Sequence, residues 1–299
     1  MSGSPAVAQL LIVALALVML GLGLTLKLED FTRLLRYPKA VGVALVLQIA
    51  VLPLACCAII VLLHVPPLFA VGLMLLAASP GGISANLFSH LFGGNVAMNI
   101  SLTAINTLLS ILTMPVIANW AISTFAKTGQ VVPLQFGKVV EVIVIVLVPV
   151  ALGMWLRTVK PALAARSENP TKVFSIIVLV VVAVGAVVKE WQALSGGFAA
   201  IGPAVLAFNL VSLLAGYYVA RATGLDKPIS TAISYEIGIH NATLAIFIAL
   251  AVLNNFQLAL PAAIYSFSMY LTATLFGLLV LRRGGKAAVA PAAPAGLTP

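Results

Sequence analysis

The chain has 299 residues, of which 62% are hydrophobic and 8% charged, with a mean hydropathy of +1.18. A soluble domain carries about 25% charged residues, so the composition excludes an ordinary water-soluble fold and points to a polytopic, all-α membrane protein; the unbroken apolar runs also lack the alternation of a membrane β-barrel. The net charge of +9 does not indicate a nucleic-acid partner, because the basic residues sit in short loops between apolar runs, where a lipid surface accounts for them.

Hydropathy predicts about nine crossings. The first, about Val7–Leu26, follows Met1–Ala6, a start without Lys or Arg, and so reads as a crossing and not as a cleaved signal peptide. The second, Ala40–Leu63, contains Gln48 and the adjacent Cys56 and Cys57, which fit no metal or redox spacing and read as small apolar packing residues. The third, Leu68–His90, is interrupted by Ser79-Pro80-Gly81-Gly82-Ile83-Ser84-Ala85-Asn86. The fourth, Val96–Trp120, carries Asn99, Thr103, Asn106 and Thr107. Val139–Leu156, Val173–Val188 and Phe198–Ala220 follow. The eighth, Ile229–Leu253, contains Glu236-Ile237-Gly238-Ile239-His240-Asn241-Ala242-Thr243, and the ninth, Leu258–Leu281, contains Ser266, Ser268, Thr272 and Thr274. The membrane domain is thus 1–283, and Gly284–Pro299, rich in Ala, Pro and Gly, reads as a disordered tail.

Loop charge tests this count. Lys27, Arg33, Arg36 and Lys39 follow the first crossing, Arg157, Lys160, Arg166 and Lys172 the fifth, Arg221 and Lys227 the seventh, and Arg282, Arg283 and Lys286 the ninth. With nine crossings these 13 of the 16 Lys and Arg share one side, leaving Lys127, Lys138 and Lys189 on the other. The positive-inside rule then predicts a cytoplasmic C-terminus and an external N-terminus in the cell (inner) membrane. Trp120, Trp155 and Trp191 fall near span ends, as interface anchors do. Glu141 is expected to pair with Lys138, His64 and His90 to be interfacial or loop residues, and Glu29 and Asp30 to be solvated.

The third and eighth crossings read as broken helices, since proline removes a backbone donor and paired glycines give no helix support. They are five crossings apart and so run in opposite directions, as do the first and sixth, second and seventh, and fourth and ninth. That is the pattern of an inverted-topology repeat, about 7–120 and 139–283, with the crossing 139–156 unpaired. Glu236 lies in the second break region. A charged side chain at a helix centre costs about 2.5–3.5 kcal/mol on insertion scales, and no Lys or Arg lies at mid-membrane to offset it. A cation or a proton has to neutralise it, or His240, four residues on.

Pro80-Gly81-Gly82-Ile83-Ser84-Ala85-Asn86, Gly94-Asn95-Val96-Ala97 and Glu236-Ile237-Gly238-Ile239-His240-Asn241, in this order, resemble the bile acid:sodium symporter family, in the form of a bacterial member lacking the first of ten helices. The similarity runs over roughly Val7–Arg283. The resemblance implies core and panel domains, two broken helices that cross in the core, and two sodium sites. The first would use Asn86, Asn99, Thr103 and Glu236. The second would use Gln48, Glu236 and the backbone near His240. The chain departs from the family at Ala85 and Asn99, where serine is common, and at His240, where glutamine is typical; imidazole is a poor ligand for a hard cation. Asn241 matches a substrate-proximal asparagine.

The expected function is a secondary active transporter importing an organic anion (bile-acid-like, pantoate-like or a keto acid) with sodium by alternating access. Its substrate carboxylate would meet half-helix N-termini near Ser84 and Asn241. Sodium, the anion and the bilayer are the expected partners, with no cofactor. The alternatives are proton coupling through Glu236 and His240, a channel, for which no repeated filter motif is present, and a membrane-embedded enzyme. Three scattered histidines without ligand spacing do not build the last.

Overall fold

The computed structural model describes residues 5–126, 131, 134–167, 170 and 191–281. The predicted sixth crossing, Val173–Val188, and the tail Gly284–Pro299 lie outside the described residues, as do Lys127, Lys172, Lys189, Arg282, Arg283 and Lys286.

Among the described residues the regular elements are helices, with no strand. They are α1 (Pro5–Thr25), α2 (Leu28–Leu34), α3 (Pro38–Leu62), α4 (Pro67–Ala78), α5 (Ser84–Leu91), α6 (Val96–Phe125), α7 (Phe136–Val159), α8 (Trp191–Ala222), α9 (Lys227–Gly238), α10 (Ala242–Val252) and α11 (Phe256–Leu281). Five are long and apolar enough to cross a membrane: α3, α6, α7, the Ile201–Ala222 part of α8, and α11. A sixth is counted if α1 and α2, bent by 73°, form one span.

Local sequence sets the starts. Proline opens α3 and α4, where its missing N–H costs nothing. Asn95 caps α6 by accepting from the Met98 amide at 2.9 Å, and Asp226 caps α9 through the Ile229 amide at 2.8 Å. Extra residues are accommodated as π-type turns at Leu47–Val51 in α3, Ile248–Val252 in α10 and Gly277–Leu281 in α11.

Among the described residues, the basic loops share one end of the bundle. Lys27 and Glu29 line one cleft with Arg157 and Pro161, joining the loops after α1 and α7. The Lys227 Nζ donates to the Leu281 carbonyl at 2.7 Å, joining the start of α9 to the end of α11. Arg33 reaches the Ala97 carbonyl at 3.2 Å, and the Asn95 amide donates to the Pro228 carbonyl at 2.9 Å. Lys138 and Glu141 form the expected pair, 2.7 Å apart and half exposed, which contributes little.

Asp30 is not solvated: it lies in α2, 6% exposed, and accepts from the Lys27 amide at 2.8 Å and from Arg33 at 2.8 Å. Its carboxylate sits in the first turn of α2, where free amides and the helix dipole favour negative charge.

The first and fifth predicted crossings, α1 and α7, press backbone to backbone. A side chain on Gly153 would fall 2.6 Å from the Leu20 carbonyl and 2.7 Å from the Leu24 amide, and one on Gly23 would strike the Val150 carbonyl. Small residues allow this approach between membrane helices.

Candidate functional site

The two interrupted crossings meet. α4 stops at Ala78, the chain runs extended from Ser79, and α5 starts at Ser84. α9 stops at Gly238 and α10 starts at Ala242. The breaks are shorter than the polar runs seen in the sequence, so Asn86 lies inside α5 and Glu236 in the last turn of α9. They pair like a fragment of antiparallel sheet at Gly81 and His240. The Gly82 amide donates to the Ile239 carbonyl at 2.6 Å, and the Asn241 amide donates to the Pro80 carbonyl at 2.8 Å. Each break thus supplies the partners that the other lost, which is how non-helical backbone is tolerated inside a bundle.

Glu236 is fully buried. Its Oε2 accepts from the Thr103 hydroxyl at 2.5 Å and its Oε1 from the Asn106 amide at 3.0 Å, both on α6. It makes no ion pair with any Lys, Arg or His among the described residues. Its place in the last turn of α9 adds the negative end of the helix dipole. Burial and dipole both disfavour an anion here, so a charge on this carboxylate needs compensation.

Gln48 sits in the π-type turn of α3, and its Nε2 donates to the Ser79 carbonyl at 2.9 Å and the Ala77 carbonyl at 3.2 Å. His240 turns Nδ1 to the same Ser79 carbonyl at 3.1 Å and stacks on Phe208, ring centres 5.4 Å apart. A carbonyl only accepts, so Nδ1 carries the proton and Nε2 the lone pair. Thr103, Glu236 and Asn106 therefore form one group, and Gln48 and His240 a second around Ser79.

Asn99 is fully buried but clamps helices: its Nδ2 donates to Ser89 Oγ at 2.7 Å and to the Ala232 carbonyl at 2.8 Å. It reaches Glu236 only through Thr103, whose hydroxyl also meets the Asn99 carbonyl at 3.1 Å. Ser84 opens α5, with its Oγ 3.1 Å from the Tyr270 hydroxyl. Asn241 caps α10 by accepting from the Leu244 amide at 3.1 Å.

Gln48 Oε1, Asn86 Oδ1, Asn99 Oδ1 and Asn106 Oδ1 are all buried without a hydrogen-bond partner, as is His240 Nε2. Neutral amide oxygens together with a carboxylate are the donor types that a hard monovalent cation takes. No group of three or more His, Cys, Asp or Glu that could hold a metal ion occurs among the described residues.

Sequence reasoning left out two features of the site. Asn106 was counted among the small polar residues of its crossing and not assigned to the site, although it lies three residues from Thr103 and so on the same helix face. The Gly238 carbonyl, released where α9 ends, accepts from Asn209 Nδ2 at 2.8 Å and from the Tyr265 hydroxyl at 2.8 Å. Asn209 Nδ2 also donates to the Tyr265 oxygen at 2.7 Å, and its Oδ1 accepts from Thr272. The signal for Asn209 was a lone amide in an apolar run, the same as for Gln48.

A family model described as "Sodium Bile acid symporter family" matches residues 12–196. An "Uncharacterized sodium-dependent transporter YocS" of Bacillus subtilis (strain 168) is 29% identical over 261 residues, 87% of this chain and 79% of the relative. A "Probable sodium/metabolite cotransporter BASS1, chloroplastic" of Oryza sativa subsp. japonica is 31% identical over 257 residues, 85% of this chain but 62% of the relative. The P3 protein of Homo sapiens is 26% identical over 230 residues, 75% of this chain and 47% of that protein. The first two are named as transporters and not as enzymes. With a family match over more than half its length and a bundle of membrane-length apolar helices, the chain belongs to the Sodium Bile acid symporter family and is a membrane transport protein.

Proposed function

We propose that this protein imports an organic anion together with sodium by alternating access, and that Glu236 is the charge the sodium neutralises. The observation that carries this reading is a fully buried carboxylate, unpaired with any basic residue among the described ones, beside two interlocked helix breaks. Glu236, Thr103, Asn86 and Asn99 would supply oxygen ligands at a first position. Asn86 and Asn99 each keep a buried Oδ1 without a hydrogen-bond partner, and so an oxygen free to bind an ion. At a second position Gln48 Oε1 is the free side-chain oxygen, while His240 offers a nitrogen, so this position is the weaker one for sodium.

The substrate anion would meet the N-terminal ends of α5 and α10, near Ser84 and Asn241, where helix dipoles favour negative charge. Names such as "sodium/metabolite cotransporter" among the relatives support a small metabolite as substrate. In this reading the chain has nine crossings arranged as an inverted repeat, split into core and panel domains, with the basic loops on the cytoplasmic side. The gathering of those loops at one end of the bundle supports it. A Glu236–His240 proton relay lacks a supporting contact: no hydrogen bond or ion pair joins the two side chains, and His240 Nδ1 faces the Ser79 carbonyl.

Glu236→Gln tests the reading. The amide keeps the shape and removes the charge, so sodium-driven uptake into proteoliposomes is expected to vanish while the protein still inserts. Unchanged sodium-driven uptake refutes the role of Glu236.

A further inference from the structure

Asn106 is the less expected of the two side chains bonded to Glu236. An amide can offer a carboxylate site either its N–H or its oxygen. Here it gives the N–H to Glu236 Oε1 at 3.0 Å and leaves its own Oδ1 buried with no partner. A cation ligand would do the reverse, turning its oxygen toward the ion. An N–H carries partial positive charge, so at Oε1 it competes with a cation for the same lone pairs.

We infer that the Asn106 amide stands in for the cation: its N–H stabilises the Glu236 carboxylate while the carrier returns without its ion. This rests on the coupling role proposed for Glu236. A symporter must reset unloaded, and a bare buried carboxylate would make that step slow. Beside the Gly81 backbone, which also hydrogen-bonds the carboxylate, Thr103 supplies one side-chain donor, to Oε2, and Asn106 the other, to Oε1. A contact that belongs only to the ion-free form lowers ion affinity by the factor by which it stabilises that form. Asn106 therefore weakens sodium binding and speeds the return, so that sodium affinity is traded for turnover.

The test is sodium binding by purified full-length protein, followed by calorimetry, with transport in proteoliposomes. The variants are Asn106→Leu, close to isosteric and unable to donate, and Asn106→Ala. Loss of one charge-assisted hydrogen bond predicts sodium binding about tenfold tighter. Net sodium-driven uptake, which needs the empty return, should fall, and the ratio of substrate exchange to net uptake should rise by about the same factor. A purely structural role would weaken binding and lower both transport modes together. Variants that bind sodium no more tightly than wild type overturn the inference. Recovery of neither variant as folded protein also overturns it, since Asn106 would then be structural. Wild-type protein with no sodium response at all sinks the coupling role of Glu236, whereas a responding wild type with unimproved variants removes only the role of Asn106.

Discussion

Gly81 backs onto the Glu236 carboxylate so closely that a methyl group there would overlap both carboxylate oxygens. Non-bonded heavy atoms settle at about 3.5–4.0 Å, so in Gly81→Ala the carboxylate or the break must retreat by about 1 Å. The Thr103 bond at 2.5 Å and the Asn106 bond at 3.0 Å cannot both survive such a shift. The shift moves the carboxylate off its place beside Thr103, a proposed sodium ligand, and overpacking the break costs about 1–3 kcal/mol, so sodium affinity should fall by about one to two decades. Substitutions at two other glycines calibrate the effect. A side chain on Gly82 would lie 3.2 Å from the His240 carbonyl and 3.3 Å from the Ile239 carbonyl, a misfit of a few tenths of an ångström costing about 1 kcal/mol. A side chain on Gly42, inside α3, would meet nothing within 4 Å, so Gly42→Ala should be neutral or mildly stabilising. Sodium-dependent thermal stabilisation of the purified proteins, with sodium-driven uptake in parallel, should rank Gly81→Ala below Gly82→Ala and Gly42→Ala near wild type. Near-wild-type sodium binding by Gly81→Ala, or equal damage from Gly42→Ala, would refute the geometry described for the crossing.

The Gly238 carbonyl has two donors, which makes their removal unequal. Tyr265→Phe leaves Asn209 on that carbonyl and should cost about 1 kcal/mol, whereas Asn209→Leu removes bonds to Gly238, Tyr265 and Thr272 and should cost about 2–4 kcal/mol. Thermal denaturation in detergent gives the order, and a more damaging Tyr265→Phe would contradict it. A reporter fused after Pro299 should give a cytoplasmic signal in intact cells; an external signal would break the count of nine crossings.

Composition alone determined that this is a helical membrane protein, because 8% charged residues cannot cover a water-exposed surface. The breaks were legible for local reasons: Pro80 cannot donate, and Gly81, Gly82 and Gly238 give no support to a helix. Glu236 stood out because burying a charge is costly wherever it occurs. The described basic loops lie at one end of the bundle, as the segregation of Lys and Arg along the sequence leads one to expect. What the sequence could not show is which polar group meets which. Asn106 and Glu236 are 130 residues apart, and Asn209 reaches Gly238 across 29. A lone amide in an apolar run looks the same whether it clamps two helices, as Asn99 does, or faces a carboxylate, as Asn106 does. Only the tertiary packing of α3, α6, α8 and α11 around the two breaks made those choices, because a hydrogen bond in a dry interior is fixed by position and direction, and neither is encoded in the residues near it along the chain.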